Sequence, residues 1–169
     1  MSRLQSIGID VRRVTRDANL KTGLGVALVE TDDRAILTYS GSISAVQVSD
    51  LTDDLLKAAR HWHIASYFLL DPLRGFWPGW VRKLKQAGVS VSLDTNWDPA
   101  EAWHGVMELL GEIDLFLPNE AEAKAIAKVN DVVEAGKILS RPPRTGFRGR
   151  SGWPAQGIAS SVGRVARRG

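Results

Sequence analysis

The sequence of 169 residues contains no cysteine, which excludes a disulfide framework and a thiolate metal site. It also lacks an apolar run near the ~20 residues that span a bilayer, and no signal peptide opens it. We therefore expect a cytoplasmic protein with no membrane partner. Hydrophobic residues make up 44% and charged residues 24% of the chain, proportions that are ordinary for a globular domain with its own core.

Acidic residues are absent from the last part of the chain. Residues 141–169 contain 7 Arg, no Lys and no acid, a balance of +7, whereas residues 1–140 contain 15 Lys and Arg against 19 Asp and Glu, a balance of −4. The segment 141–169 is mostly Arg, Gly, Pro and Ala without an apolar period, which predicts a disordered basic tail. A GC-rich gene read in a shifted frame yields the same composition, so a frameshift product is the second hypothesis for this tail.

Apolar periodicity in residues 1–140 predicts an α/β fold. Two apolar runs, 23–30 and 34–40, flank three polar residues and predict a β-hairpin. Further along, strand patterns alternate with helical ones, which predicts a parallel sheet with right-handed crossovers. The strand patterns cover residues 63–70, 89–93 and 113–117, and the helical patterns cover residues 51–60, 76–87, 99–110, 119–128 and 131–139.

Polar clusters follow two of the predicted strands. The segment DTNWDP (94–99) comes after Leu93, and PNEAE (118–122) comes after Leu117. Ligands bind at the carboxyl ends of parallel strands, so these loops are the candidate site. Asn119 and Glu122 have the spacing of a helix-capping pair. A helix start also suits phosphate, and a carboxylate suits hydrated Mg²⁺, so both interpretations stay open.

The motifs resemble those of the ribokinase (PfkB) carbohydrate kinase family. The matching stretches are Gly8-Ile9-Asp10-Val11, Asp94-x-Asn96, and the run from Asp114 through Pro118-Asn119-Glu120 to Ala123. The resemblance covers about residues 4–140, which would form one partial domain. It implies a ribokinase-like three-layer α/β/α fold with a parallel sheet, and a lid formed by the hairpin at about 23–40.

The resemblance implies ATP-dependent transfer of a phosphoryl group to a sugar hydroxyl, with Mg²⁺. On this reading Asn119 faces the ATP phosphates and Glu122 orders Mg²⁺ and its water. Asp94 and Asn96 would line the phosphate side of the nucleotide. Gly41 and Tyr67 would lie near the sugar.

Two elements of the family pattern are missing from this sequence. There is no N-terminal Gly-Gly sugar-binding turn, and there is no Gly-Ala-Gly-Asp motif, whose backbone forms an anion hole and whose Asp is the catalytic base. No acid follows Glu134, and Asp98 stands where many members have Arg. A general base alone contributes ~10²- to 10⁴-fold. We therefore expect an internal fragment with no catalytic residue retained.

Three other interpretations compete with this one. His61 and His63 flank Trp62, so both imidazoles would lie on one strand face, but no third metal ligand is apparent. The Arg-rich tail suggests polyanion or RNA binding, which we do not favour because it has no Lys and no repeated RGG unit. A non-catalytic interaction module is the third, with the lid hairpin forming a homodimer.

Overall fold

The computed structural model describes residues 2–29 and 34–140. The chain divides into two compact units, Met1–Ile43 and Ser44–Gly169, and each is described by itself. The predicted turn between the hairpin strands and the basic tail lie outside the described residues. Among the helices of the described ranges, none combines the length and the apolar character needed to cross a bilayer.

The N-terminal unit contains a short helix, α1 (Ser2–Ser6), and the predicted hairpin. Strands β1 (Leu24–Val29) and β2 (Arg34–Tyr39) pair antiparallel, with Leu24 opposite Tyr39. Paired residues share a face, so one face of the hairpin carries only apolar side chains. The five large apolar side chains on this face are between 45% and 61% exposed: Leu24, Val26, Leu28, Leu37 and Tyr39.

The second unit is built on a parallel sheet of three strands. Strands β3 (His61–Ile64), β4 (Ser90–Leu93) and β5 (Leu115–Phe116) lie in that order. Helix α2 (Trp77–Gln86) connects β3 to β4, and α3 (Val106–Leu110) connects β4 to β5. The two crossovers confirm the predicted alternation of strands and helices.

One face of this sheet forms the core, because alternate side chains of each strand point to the same side. Ile64 lies opposite Leu93, and Leu93 lies opposite Phe116, and all three are buried. Trp80 from α2 is 1% exposed, and its ring stacks on that of Phe76 with centroids 5.5 Å apart. Burying large rings in this way contributes much of the packing energy of a small domain.

Three predicted helices agree well with the structure. Helix α2 ends just before Gly88, whose φ of +78° lies in the left-handed region that glycine tolerates. Helix α4 (Glu120–Ala127) begins after Asn119, and α5 (Val132–Leu139) begins after Asp131. Both residues accept a hydrogen bond from a backbone N–H three positions on, which is the expected role of an N-cap.

The predicted helix over residues 51–60 is wrong. The chain forms two short 3-10 turns instead, Val48–Asp50 and Asp53–Lys57. Polar side chains compete with the helical backbone here. The Asp50 carboxylate accepts the N–H of Gln47 at 2.8 Å, and the Thr52 hydroxyl donates to the Asp54 carboxylate.

The predicted strand over residues 63–70 is wrong in its extent. Strand β3 begins at His61 and ends at Ile64. Beyond it, Ser66 adopts a left-handed φ of +61°, and the chain turns into the 3-10 segments Tyr67–Leu69 and Asp71–Leu73. The apolar run HIASYFLL therefore reflects burial of a turn as well as of a strand.

Candidate functional site

The carboxyl end of β4 presents a tight polar turn. The backbone N–H of Asp94 donates to the carbonyl of Ile64 at 2.8 Å, which continues the β3–β4 ladder by one residue. The Asp94 carboxylate then accepts the N–H of Asn96 at 3.1 Å. Asn96 has a φ of +47°, a left-handed conformation that Asn tolerates better than most residues. Asp94 and Asn96 thus face the sheet edge at which ligands bind in such folds.

Two buried oxygens in this turn have no hydrogen-bond partner within the part of the chain that the structure describes. They are the Thr95 hydroxyl and the Asn96 side-chain carbonyl. Thr95 is fully buried. Buried polar groups are nearly always satisfied in folded proteins, so two orphaned ones in adjacent residues need an explanation. Thr95 was not among the residues chosen from the sequence, and no motif there indicated it.

The loop after this turn is held by one buried carboxylate. Asp98 is 2% exposed, and it accepts the backbone N–H groups of Ala100, Ala102 and Trp103 at 3.0, 3.0 and 2.7 Å. These bonds replace the first turns of the helix predicted over 99–110. That helix is wrong in its first half, since α3 begins only at Val106.

Aromatic rings line the same loop. Trp103 is buried and meets Trp97 edge to face with centroids 5.0 Å apart, and it meets Phe68 at 5.4 Å. Trp97 and Trp103 therefore pack around this loop. Trp103 has a φ of +53°, and Glu101 also has a φ of +53°, so tertiary contacts maintain a backbone that neither residue would favour alone.

The second polar cluster begins helix α4. The Asn119 side chain accepts the N–H of Glu122 at 2.9 Å, and the Glu122 carboxylate accepts the N–H of Asn119 at 3.0 Å. This reciprocal pair is a capping box. Asn119 is exposed and Glu122 is 5% exposed. The capping interpretation of these two residues is thus correct, and it leaves the side-chain amide of Asn119 at the surface.

Glu122 and Asp94 interact electrostatically although they follow different strands. Burial raises the pKa of the Glu122 carboxyl, and the negative charge of Asp94 raises that pKa further, while hydrogen bonds from Asn119 lower it. Asp94 directly follows β4, and Glu122 lies in the first turn of the helix that follows β5, so both belong to the carboxyl edge of the parallel sheet. Carboxylate oxygens are ligands that suit Mg²⁺.

Tyr67 lies in a pocket beside this edge. The open pocket has a volume of about 400 Å³, and Arg74, His104, Gly105 and Glu108 contribute to its lining. The Tyr67 ring is 2% exposed, and its hydroxyl donates to the carbonyl of His104 at 3.5 Å. Burial raises the pKa of Tyr67, so the phenol stays neutral and able to donate a hydrogen bond.

Gly41, the other residue expected near the sugar, belongs to the N-terminal unit. Its φ is +47°, and a Cβ there would lie 2.5 Å from the carbonyl oxygen of Lys21. Only glycine fits this close approach without moving the backbone. The turn that follows the hairpin therefore requires a glycine at position 41.

Comparison with known proteins supports the family suggested by the motifs. Residues 1–144 match the family described as pfkB family carbohydrate kinase. The chain belongs to this family. Comparison with curated proteins gave no match.

Solved structures of PfkB-family kinases confirm the predicted ribokinase-like α/β fold. The structure of a PfkB protein from Polaromonas sp. JS666 superimposes on 82% of this chain, with a TM-score of 0.66 and 22% sequence identity. The structure of an E. coli protein provisionally assigned as ribokinase II, solved with ATP and Mg²⁺, superimposes on 79% of this chain, with a TM-score of 0.62 and 21% identity. Ribokinase from Giardia lamblia superimposes on 83% of this chain, with a TM-score of 0.57 and 19% identity.

The chain spans about half the length of these relatives. The similarity covers 50% of the Polaromonas protein and 46% of both the E. coli and the Giardia proteins. The PfkB-family fold is therefore present in part.

Proposed function

We propose that this chain carries the nucleotide-phosphate side of an ATP-dependent sugar kinase site. One observation carries the proposal: Asp94 directly follows β4, and the capping box of Asn119 and Glu122 follows β5, which pairs parallel with β4. Mg²⁺ in nucleotide sites is bound through one or two carboxylates together with phosphates and waters. A cytoplasmic location is part of this proposal, because ATP is abundant there.

The residues at this edge fit ATP with Mg²⁺. The buried carbonyl oxygen of Asn96 lacks a partner within the described residues, and a hydroxyl or a metal-bound water would satisfy it. The exposed Asn119 stands at the start of α4, where free N–H groups and the helix dipole favour phosphate. When bound, ATP supplies the phosphoryl group and Mg²⁺ neutralises its charge.

Each residue has a distinct role in this proposal. Asn119 donates its side-chain amide to a phosphate oxygen while its carbonyl oxygen caps α4. Glu122 and Asp94 hold the cation and its waters. Asn96 accepts a hydrogen bond at the phosphate side. Tyr67 keeps its hydroxyl neutral in the pocket where a sugar hydroxyl would bind, and Gly41 allows the tight turn after the lid hairpin.

We further propose that the 169-residue polypeptide binds Mg·ATP but does not transfer phosphate. Its sequence contains no Gly-Ala-Gly-Asp motif and no acid after Glu134. Phosphoryl transfer to a hydroxyl requires a base for the proton and donors for the developing charge. Without them, bound ATP has no activated acceptor.

A coupled ATPase assay with a panel of sugars, beside calorimetric titration with Mg·ATP, tests the proposal. We expect binding without sugar-dependent turnover, and weaker binding in Glu122→Ala. Glu120→Ala is the matched control, because Glu120 lies on the same helix and forms a surface ion pair with Lys124. Sugar-dependent turnover by the wild type that Glu122→Ala abolishes would contradict the proposal that the chain does not transfer phosphate. Absence of Mg·ATP binding by the wild type would contradict the proposed nucleotide site.

The hairpin supports a second part of the proposal, a homodimer. Its apolar face exposes five large side chains, and an isolated two-stranded hairpin is marginally stable in water. A second copy of the same hairpin would cover this face. Sedimentation should show a dimer that Val26→Lys converts to a monomer, with Thr38→Lys on the other face as control. A wild-type monomer would contradict it.

A further inference from the structure

The pocket beside Tyr67 has one wall that is formed by a loop. His104 and Gly105 line the pocket, and α3, which begins at the next residue, brings Glu108 to it. The Tyr67 hydroxyl lies 3.5 Å from the carbonyl oxygen of His104, and a Cβ on Gly105 would lie 2.5 Å from that hydroxyl. The wall meets Tyr67 so closely that a small displacement of the loop would change the shape of the pocket.

The backbone of this loop has a conformation that its own residues disfavour. Glu101 and Trp103 each have a φ of +53°, and Gly105 has a φ of +82°. Glycine adopts such angles readily, whereas other residues rarely do. Interactions beyond local preference must therefore maintain the loop.

The buried carboxylate of Asp98 supplies such interactions. Asp98 is 2% exposed. Its Oδ1 accepts the N–H of Ala100 at 3.0 Å, and its Oδ2 accepts those of Ala102 and Trp103 at 3.0 and 2.7 Å. Hydrogen bonds to an ionised acceptor are stronger than those between neutral groups. Both oxygens of one charged side chain thus hold the loop that forms the wall.

The ring of Trp103 connects this loop to the segment that carries Tyr67. It meets Phe68 edge to face with centroids 5.4 Å apart, and Phe68 meets Tyr67 in the same way at 4.9 Å. Because Asp98 binds the N–H of Trp103, it fixes the backbone from which this ring projects. Asp98 itself does not line the pocket, so any effect on a ligand there is transmitted by the loop.

We propose that Asp98 is a positioning residue for this pocket and holds the 98–105 loop in the conformation that closes the wall against Tyr67. The inference rests on the proposed function, in which a sugar hydroxyl binds at Tyr67. Arg74 and Glu108, a cation and a carboxylate, line the pocket of about 400 Å³. Donors and acceptors together suit a neutral sugar, whose hydroxyls both donate and accept. Asp98 sets the fit of the pocket to this sugar without touching it.

Asp98→Asn tests the positioning with little change of side-chain shape. The amide keeps one oxygen as acceptor and replaces the other by an NH₂ donor, so part of the hold on the loop is lost. The exposure of Tyr67 is measured by paramagnetic relaxation of its ring signals with a neutral nitroxide in solution. Tyr39→Phe assigns those signals, because the sequence contains two tyrosines.

We expect Asp98→Asn to raise the relaxation rate of the Tyr67 ring at least about twofold, because the loop opens more often. Asp131→Asn is the matched control, since Asp131 accepts the N–H of Glu134 at 2.8 Å at the start of α5. It should leave the Tyr67 signal as it is in the wild type. A folded Asp98→Asn variant with an equally protected Tyr67 would overturn the proposal.

Calorimetric titration with D-ribose and with D-fructose, both at saturating Mg·ATP, tests the consequence for binding. Asp98→Asn should bind the sugar that the wild type prefers at least about fivefold more weakly, and Mg·ATP about as tightly as the wild type does. Unchanged sugar affinity in this variant would overturn the proposal. If Tyr67 becomes exposed in Asp98→Asn but the wild type binds neither sugar, the positioning is supported and the proposed sugar pocket fails.

Hydrogen exchange of the wild type tests the same hold without any substitution. The amide of Trp103 should exchange slowly, because its N–H is bonded to a buried carboxylate at 2.7 Å. Exchange of this amide at the rate of an exposed one would overturn the proposal even if Asp98→Asn failed to fold.

Discussion

Asn119 has two roles in this account, and substituting it separates them. Its side-chain carbonyl caps α4 through a 2.9 Å bond from the N–H of Glu122, and its amide is proposed to meet phosphate. Asn119→Asp keeps the capping oxygen, since Asp and Asn are about equally good N-caps. It replaces the amide donor by a negative charge.

The expected magnitudes differ between the two roles. Asn119→Ala loses the cap and should lower the free energy of unfolding by about 1 kcal/mol. Asn119→Asp should stay within ~0.5 kcal/mol of the wild type, because attraction to the helix dipole and repulsion from Glu122 have opposite signs. A carboxylate ~4 Å from a phosphate charge costs about 1 kcal/mol in water and about 4 kcal/mol near a protein surface. Mg·ATP affinity of Asn119→Asp should therefore fall at least about fivefold.

Urea unfolding and calorimetric Mg·ATP titration measure the two quantities on the same samples. Asn119→Ser is the control, since Ser also caps a helix but brings no charge. It should retain stability and lose less affinity than Asn119→Asp. If Asn119→Asp binds Mg·ATP as tightly as the wild type does, Asn119 is a cap and nothing more, and the proposed phosphate contact is refuted.

Three further predictions concern stability. Asp98→Ala removes the acceptor of three backbone N–H bonds and should destabilise by about 3 kcal/mol or more, with faster proteolysis of the 98–105 loop; unchanged urea unfolding would contradict this. Gly41→Ala places a Cβ 2.5 Å from a backbone oxygen, whereas Gly8→Ala, at a φ of +83°, places a Cβ with nothing within 4 Å. Gly41→Ala should therefore lower the melting temperature more than Gly8→Ala does. Equal shifts would show that the positive φ alone, and not the close contact, determines the loss. Burial raises the pKa of Glu122, so the folded state holds this proton more tightly than the unfolded chain. The free energy of unfolding should therefore fall as pH rises from the ordinary Glu value through the raised one, and Glu122→Gln should lack this decrease in chemical unfolding across pH.

The sequence was most informative where one local rule decides the structure. Asn119 and Asp131 were predicted to begin helices and do so, because capping needs only the residue and the N–H groups that follow it. The hairpin and strand β4 followed from apolar alternation. The positions of Asp94 and Glu122 at one sheet edge followed from the crossover rule, which places consecutive strand ends together.

Predictions failed where a distant or unusual contact overrides local preference. Asp98 is a good helix-start residue, yet its buried carboxylate binds three N–H groups of a loop instead of beginning a helix. Ser66 ends β3 through a left-handed backbone, which no feature of HIASYFLL indicates. The Thr95 hydroxyl, which has no partner among the described residues, could not be foreseen either, because satisfaction of a hydrogen bond depends on the whole surrounding packing.

The central claim is that the carboxyl ends of β4 and β5 bind Mg·ATP. Amide chemical shifts of the ¹⁵N-labelled chain, recorded during titration with Mg·ATP, test it residue by residue. The account predicts that the largest changes occur at residues 94–96 and 119–122, and that the amides of the hairpin strands change least. Saturable changes centred on any other surface, or no changes up to millimolar Mg·ATP, would contradict it.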